Sequence, residues 1–262
     1  MLTLLKILLA AGALGYLGLL LMALLLAPRI LFPVPLPGYA LEPPFETFTD
    51  ARGRTLAALY CPLPDARRVV LYHHGNGEDL AFVRARLEAF RARGYAAFAY
   101  DYPGYGRSEG RPTEASLIEA GEAAFATLQE RHGWAAEHIL HYGHSLGGGV
   151  ALEMGARHPS AGVVVEGTFR SVFRVVTHVS LLPWDLFRNE RLVARQQAPL
   201  LILHGTEDRT VPFSHGEALL RAAPAGTRHL WVEGAHHVNL WDVADEQWWD
   251  TLDAFVRSSE NL

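Results

Sequence analysis

Short apolar runs alternate with stretches of helical periodicity from about residue 45 onward, and this alternation constrains the fold more than any other feature. The run 68–72, for example, is followed by a segment whose Leu80, Val83, Leu87 and Phe90 share one helical face. Because parallel strands need crossover connections, repeats of this kind predict a mostly parallel sheet with helices on both faces. The chain is therefore predicted to adopt an α/β fold.

Eight strands are expected, and the first two are predicted to pair as an antiparallel hairpin. They span residues 46–50, 55–60, 68–72, 96–100, 139–142, 163–165, 200–203 and 229–232. A last helix carrying Trp249, Leu252, Phe255 and Val256 at helical spacing is predicted to cover the final strand. Residues 168–195 interrupt the alternation with an apolar, arginine-rich segment, which we predict to be a small cap insertion.

The N-terminal segment has the length and composition of a membrane-spanning helix. No charged side chain occurs from Ile7 to Ala27, and a helix of that length would reach roughly 30 Å, the thickness of a bilayer core. Residues 1–27 are predicted to be a transmembrane anchor, with a cleavable signal peptide as the alternative. Lys6 and the terminal amine precede the span and Arg29 follows it, which favours an extracytoplasmic location for the larger domain.

Prolines dominate the segment after the predicted anchor. Six prolines and one glycine occur between Pro28 and Pro44, so residues 28–44 are predicted to form an extended linker and residues 45–262 one domain. The formal net charge of −5 and the lack of a mixed basic and aromatic stretch argue against a nucleic-acid partner. The single cysteine, Cys61, excludes an intrachain disulfide.

The run Gly143-His144-Ser145-Leu146-Gly147 fits the pattern G-x-S-x-G. It lies between the predicted strand 139–142 and a helix that begins near Leu146. A serine on a sharp strand-to-helix turn is exposed for attack, and the flanking glycines let other backbone approach closely. A glycine-rich turn with an incidental serine is the alternative, but the flanking strand and helix favour Ser145 as a nucleophile.

A serine nucleophile needs a base that is oriented by an acid, and chains with this turn supply them in the order serine, acid, histidine. Asp208 follows the predicted strand 200–203 and is preferred to its neighbour Glu207 by spacing. His236 and His237 both lie in the loop after the last predicted strand. One of these two histidines is the expected base.

A second glycine-rich segment, His74-Gly75-Asn76-Gly77, follows the first predicted core strand. We predict that the backbone N–H groups of Asn76 and Leu146 form an oxyanion hole, the alternative for residues 74–77 being a turn with no catalytic role. The 13 histidines do not combine with carboxylates in a zinc pattern such as H-E-x-x-H. Neither a metal nor another cofactor is predicted.

Together these motifs resemble the alpha/beta-hydrolase superfamily over residues 45–258. The similarity is greatest to a single-pass, membrane-anchored branch related to serine aminopeptidase-like, monoacylglycerol lipase-like and acyl-protein thioesterase-like domains. The motifs that carry it are His74-Gly75-Asn76, the Asp-Tyr-Pro-Gly-Tyr-Gly-Arg-Ser segment at 101–108, the G-x-S-x-G run, residues 204–208 with Val211-Pro212, and Gly234-Ala235-His236-His237.

The resemblance implies that His237 is the base, because the base follows Gly-Ala-x in similar chains. It further implies a serine hydrolase that cleaves ester or thioester bonds of lipophilic, small-molecule or lipid acyl substrates near a membrane, through an acyl-enzyme. Two alternatives stay open: a noncatalytic, membrane-tethered binding or scaffold protein on the same fold, and an aminopeptidase-like amidase. The identity of the substrate and the oligomeric state do not follow from the sequence.

Overall fold

The computed structural model describes residues 2–177 and 183–259 of the chain. Two compact units are present, Met1–Pro33 and Val34–Leu262. Residues 178–182, which belong to the predicted cap, lie outside the described residues.

The first unit contains one long helix, α1 (Leu2–Leu31). Its segment Leu2–Leu21 has a mean hydropathy of 2.1 and contains no buried residue, and it is long and apolar enough to cross a bilayer. A signal sequence has the same properties. The helix passes through Pro28 and ends four residues later than the predicted anchor, because a proline removes one backbone donor without ending every helix.

The second unit is built on one eight-stranded sheet with the order β1-β2-β4-β3-β5-β6-β7-β8. The strands are β1 (Phe45–Thr49), β2 (Thr55–Cys61), β3 (Val69–His73), β4 (Ala96–Tyr100), β5 (Ile139–His144), β6 (Gly162–Glu166), β7 (Leu200–Gly205) and β8 (Arg228–Val232). β1 and β2 form the predicted antiparallel hairpin, β2 is also antiparallel to β4, and β3 to β8 are parallel to their neighbours. Each predicted strand is confirmed to within two residues at either end.

Helices connect most of the parallel strands, as the alternation predicts. They are α2 (Leu80–Ala92), α3 (Glu114–Glu130), α4 (Gly147–Arg157), α5 (Val172–Thr177), α6 (Asn189–Val193), α7 (Ser214–Ala222), α8 (Leu240–Ala244) and α9 (Glu246–Ser259), with a short 3-10 turn at Ala136–His138. Helix α7 begins at Ser214, two residues after the Val211-Pro212 dipeptide of the motif that follows β7. The segment predicted as a cap contains α5 and α6.

The sheet separates two hydrophobic clusters. On β6, Val164 belongs to the cluster that includes residues of α2 and α9, whereas Val163 and Val165 belong to the cluster that includes residues of α4 and α7. Successive residues of a strand point to opposite faces, so both faces of β6 are covered by helices. Trp249, Leu252 and the other aromatic and aliphatic side chains predicted on the last helix are buried in the first cluster. The predicted doubly covered α/β architecture is therefore confirmed.

Part of the proline-rich segment is docked on the domain rather than free of it. The Tyr39 side chain is buried and its hydroxyl donates a short hydrogen bond to the carboxylate of Asp101. The guanidinium of Arg107 donates to the Tyr39 carbonyl at 3.0 Å, and the Gly38 N–H donates to Asp79 at 2.6 Å. The extended segment predicted as a linker thus contributes to the core from Gly38 onward.

At two glycines, the turn between β5 and α4 is packed so closely that it leaves no room for a Cβ atom. A Cβ on Gly147 would lie 1.9 Å from the His73 carbonyl oxygen, because α4 begins against the end of β3. A Cβ on Gly143 would lie 2.4 Å from the carbonyl oxygen of Gly147. The two glycines of the G-x-S-x-G run are therefore required by packing around the turn.

Gly147→Ala is expected to lower the free energy of unfolding by about 2–3 kcal/mol, because the new methyl group must displace the end of β3 or the start of α4. Urea denaturation of the full chain in detergent measures this change. Gly133→Asn is the matched control: Gly133 has φ 73° and open space around it, and asparagine adopts this conformation readily. A Gly147→Ala chain as stable as the control would contradict the close packing of the turn.

Asp101 should make the stability depend on pH. Burial raises the pKa of its carboxyl to about 7, although the Tyr39 hydroxyl and the Arg107 N–H donate to it. Between about pH 4 and pH 7 the native chain holds a proton that the unfolded chain releases, so this group makes the free energy of unfolding fall as pH rises. Denaturation titrations at each pH give the free energy of unfolding of the wild type and of Asp101→Asn. The difference, wild type minus variant, should fall by up to about 1.4 kcal/mol per pH unit across this range. Parallel pH profiles for the two chains would contradict this effect.

Candidate active site

Ser145 occupies the turn between β5 and α4 in a left-handed conformation, with φ 51°. Such a conformation is strained for a residue with a side chain and persists only where the surroundings hold it. Here the Ser145 N–H donates to the Glu166 carbonyl at 2.8 Å, and the Thr168 hydroxyl donates to the Ser145 carbonyl at 2.8 Å. Both contacts come from the end of β6 and the residues just after it. The backbone around Ser145 is therefore fixed from the neighbouring strand.

The structure brings the three predicted side chains into one hydrogen-bonded row. His237 Nε2 lies 3.0 Å from Ser145 Oγ, and His237 Nδ1 lies 2.7 Å from Asp208 Oδ2. An imidazole bonded in this way has one nitrogen directed at the hydroxyl and the other held by the carboxylate. The arrangement allows His237 to take a proton from Ser145 while Asp208 fixes the orientation of the ring.

Asp208 is held as an acceptor by backbone as well as by histidine. Its Oδ1 accepts hydrogen bonds from the N–H groups of Thr210 at 2.9 Å and Val211 at 2.8 Å. Burial alone raises the pKa of this carboxyl, but the hydrogen bond and charge of His237 and the Val211 N–H outweigh that effect and leave the pKa below its ordinary value. Asp208 is therefore ionised at neutral pH.

The geometry distinguishes the two histidines and the two acids that sequence analysis left as alternatives. His236 is exposed and its Nδ1 lies 2.8 Å from the backbone carbonyl of Glu207, on the outside of the same loops. That contact ties the loop after β8 to the loop after β7. His237 and Asp208, and not their neighbours, are the residues that lie in the row with Ser145.

Gly167 provides space beside the row. It has φ 58°, and a Cβ at this position would lie 3.2 Å from His237 Nδ1 and 3.6 Å from Asp208 Oδ2. A side chain there would be strained in the backbone and would crowd the hydrogen bond between base and acid. This glycine follows β6 directly and was not identified from the sequence.

The two residues predicted to form an oxyanion hole lie at the ends of neighbouring strands. Leu146 directly follows Ser145 and is the N-cap residue of α4, where backbone N–H groups have no acceptor within the helix. Asn76 lies in the turn after β3, and its side chain is held by a hydrogen bond of 2.6 Å from the Tyr105 hydroxyl to Oδ1. Tyr105 belongs to the 101–108 motif, so that motif supports the turn that carries Asn76.

Two further polar residues beside the row were missed by sequence analysis. His144, the residue before Ser145, is buried with its Nδ1 2.9 Å from Glu78 Oε1. The signal was present in the motif itself, because His144 is its second residue, but nothing in the sequence pairs it with Glu78.

Among the described residues, no group of three or more histidine, cysteine, aspartate or glutamate side chains is arranged to hold a metal ion.

Comparisons with known proteins agree with this fold. The family model described as Serine aminopeptidase, S33 matches residues 64–183. The chain is 36% identical over 197 residues to alpha/beta hydrolase domain-containing protein 17B of Xenopus tropicalis, covering 74% of this chain and 68% of that protein. It is 34% identical to alpha/beta hydrolase domain-containing protein aho-3 of Caenorhabditis elegans, with coverage of 73% and 58%.

Solved structures show the same architecture at low sequence identity. The esterase Pf2001 of Pyrococcus furiosus superposes with a TM-score of 0.72 at 17% identity, covering 87% of this chain and 98% of that one. The alpha/beta hydrolase GrgF from Penicillium sp. sh18 superposes with a TM-score of 0.70 at 14% identity, with coverage of 83% and 99%. The chain belongs to the alpha/beta-hydrolase superfamily, and within it to the family of alpha/beta hydrolase domain-containing protein 17.

Proposed function

We propose that this chain is a serine hydrolase that cleaves carboxylic ester or thioester bonds through an acyl-enzyme intermediate. One observation carries the proposal: His237 lies between the Ser145 hydroxyl, at 3.0 Å, and the Asp208 carboxylate, at 2.7 Å. A serine hydroxyl is a poor nucleophile at neutral pH and becomes effective when an oriented base removes its proton in the transition state.

In the acylation step Ser145 Oγ attacks the substrate carbonyl carbon and its proton passes to His237 Nε2. The tetrahedral intermediate collapses, the bond from carbon to the leaving oxygen or sulfur breaks, and the same proton moves from His237 to the leaving group. Asp208 remains ionised throughout and stabilises the transient imidazolium. The products are an ester on Ser145 and a free alcohol or thiol.

The oxyanion of this intermediate requires donors that are in place before the reaction. We assign this role to the backbone N–H groups of Asn76 and Leu146, which lie in the turn after β3 and directly after the nucleophile. Each such donor typically contributes about 3 kcal/mol of transition-state stabilisation. Deacylation repeats the sequence with water: His237 takes a proton from water, the hydroxide attacks the acyl carbon, and the proton returns to Ser145 Oγ as the acid leaves.

Lipophilic acyl compounds near a membrane are the proposed substrate class. The apolar helix α1 supports retention at a membrane, because its segment Leu2–Leu21 is long and apolar enough to cross a bilayer. An extracytoplasmic catalytic domain remains the proposed orientation, on the charge difference between Lys6 with the terminal amine and Arg29. The small cap at residues 168–195 is proposed to cover the acyl pocket.

An activity screen tests the proposed function directly. The full chain in detergent is offered acyl esters of graded chain length, the matching thioesters, and aminoacyl amides. Hydrolysis of esters or thioesters is expected, and Ser145→Ala should lower kcat by at least about 10⁴-fold, because the attacking oxygen is removed.

Ser160→Ala is the matched control for this screen. Ser160 precedes β6, at the opposite edge of the sheet, and its buried hydroxyl has no hydrogen-bond partner among the described residues. Its activity should equal that of the wild type. Hydrolysis of amides alone would favour the aminopeptidase-like alternative, and wild-type turnover no faster than the uncatalysed reaction would leave the noncatalytic binding protein as the better account.

A further inference from the structure

A buried acid and base, Glu78 and His144, lie beside the hydrogen-bonded row of Ser145, His237 and Asp208 but are not part of it. Glu78 Oε1 is 2.9 Å from His144 Nδ1, and the two side chains are only 8% and 2% exposed. Glu78 lies between β3 and α2, and His144 is the last residue of β5, directly before Ser145. The pair therefore connects two of the segments that carry the site.

Each member of the pair makes a second contact to another part of the site. Glu78 Oε2 accepts a hydrogen bond of 2.7 Å from the Gly75 N–H, the residue before the proposed oxyanion donor Asn76. His144 Nε2 lies 3.3 Å from the backbone carbonyl oxygen of His237. Both ring nitrogens of His144 thus face acceptors, so an imidazole that donates to both carries two protons and a positive charge.

Each partner favours the charged form of the other. Burial lowers the pKa of His144, but the charge and hydrogen bond of Glu78 outweigh it and raise the pKa above its ordinary value. Burial raises the pKa of Glu78, but His144 lowers it to about 2. A buried ion pair of this kind adds little net stability, since removing two charges from water costs about as much as their attraction returns.

The oxyanion turn is packed directly on the pair. A Cβ on Gly75 would lie 2.7 Å from His144 Nδ1 and 3.0 Å from Glu78 Oε1, so the backbone at Gly75 approaches these two side chains without a gap. The rings of His144 and His237 are also neighbours, with centroids 5.2 Å apart. Any shift of the pair would therefore move the turn that carries Asn76 relative to the base.

We propose that Glu78 and His144 are positioning residues, whose ion pair fixes the Gly75-Asn76 turn and the loop of His237 relative to the nucleophile. This inference rests on the proposed serine hydrolase function. The pair contacts the backbone of Gly75 and His237 and acts through these two segments. Because preorganised donors act on the transition state, loosening them lowers kcat while the substrate's KM changes little.

Kinetics of Glu78→Gln, His144→Gln and the double variant test the proposal on the full chain, with the ester that the wild type cleaves best. Each single variant is expected to lower kcat by roughly 10- to 100-fold with KM within about threefold, since displacements near 1 Å cost about that much. The double variant should be no slower than the slower single, because two neutral amides can bond to each other and leave no unpaired charge.

Asp50→Asn is the matched control for losing a buried ion pair. The Asp50 side chain is unexposed and pairs with Arg54 at 2.6 Å in the turn of the β1–β2 hairpin, and its hydrogen bonds are to Arg52 and Arg54 within that turn. The variant should have a changed melting temperature and the kcat of the wild type. A purely structural role for Glu78 and His144 predicts the same result for their variants.

Three outcomes are decisive. If folded Glu78→Gln and His144→Gln chains have the kcat of the wild type, the positioning role is overturned but the proposed function is not. The same holds if the losses of kcat in the two single variants multiply in the double variant. If Glu78→Gln does not fold, His144→Gln carries the test on the same criterion of reduced kcat at nearly constant KM. A wild-type chain without hydrolysis that depends on Ser145 would instead overturn the proposed function, and this inference with it.

Discussion

The close contact between the start of α4 and the end of β3 is the constraint on which the site depends. It admits only glycine at 147, since a Cβ there would lie 1.9 Å from the His73 carbonyl oxygen, and it forces the chain to leave β5 through a sharp turn. Ser145 takes the strained conformation at that turn, with φ 51°. The strain is held by backbone and hydroxyl contacts from Glu166 and Thr168.

The parallel pairing of the strands then brings together site residues that are distant in sequence. His73 of β3 pairs with Gly143 of β5, and Gly205 of β7 pairs with Val232 of β8, so the loops that follow these strands leave the same edge of the sheet. These loops carry Asn76, Ser145, Asp208 and His237, the residues proposed as oxyanion donor, nucleophile, acid and base. The proposed hydrolase chemistry is thus a consequence of strand order, with each loop contributing one role.

Much of this arrangement can be predicted from local sequence, and the contacts that cannot be predicted share one property. Apolar periodicity predicts the positions of the strands, and short motifs predict the turn at Ser145 and the order of Ser145, Asp208 and His237. The pairing of Glu78 with His144 and of Tyr39 with Asp101 joins residues 66 and 62 positions apart, and no periodicity encodes such contacts. The residues alone do not separate His237 from His236, because adjacent histidines have the same chemistry and differ only in where their side chains point: His237 contacts Ser145 and His236 contacts the Glu207 carbonyl.

The most direct measurement of the central claim is the rate and site of labelling by a fluorophosphonate, followed by mass spectrometry of the intact chain and its peptides. If His237 activates Ser145, one adduct should form on the peptide that contains Ser145, at the same rate in His236→Ala and at least about 10²-fold more slowly in His237→Ala. An adduct on another residue, or equally fast labelling of His237→Ala, would contradict the account.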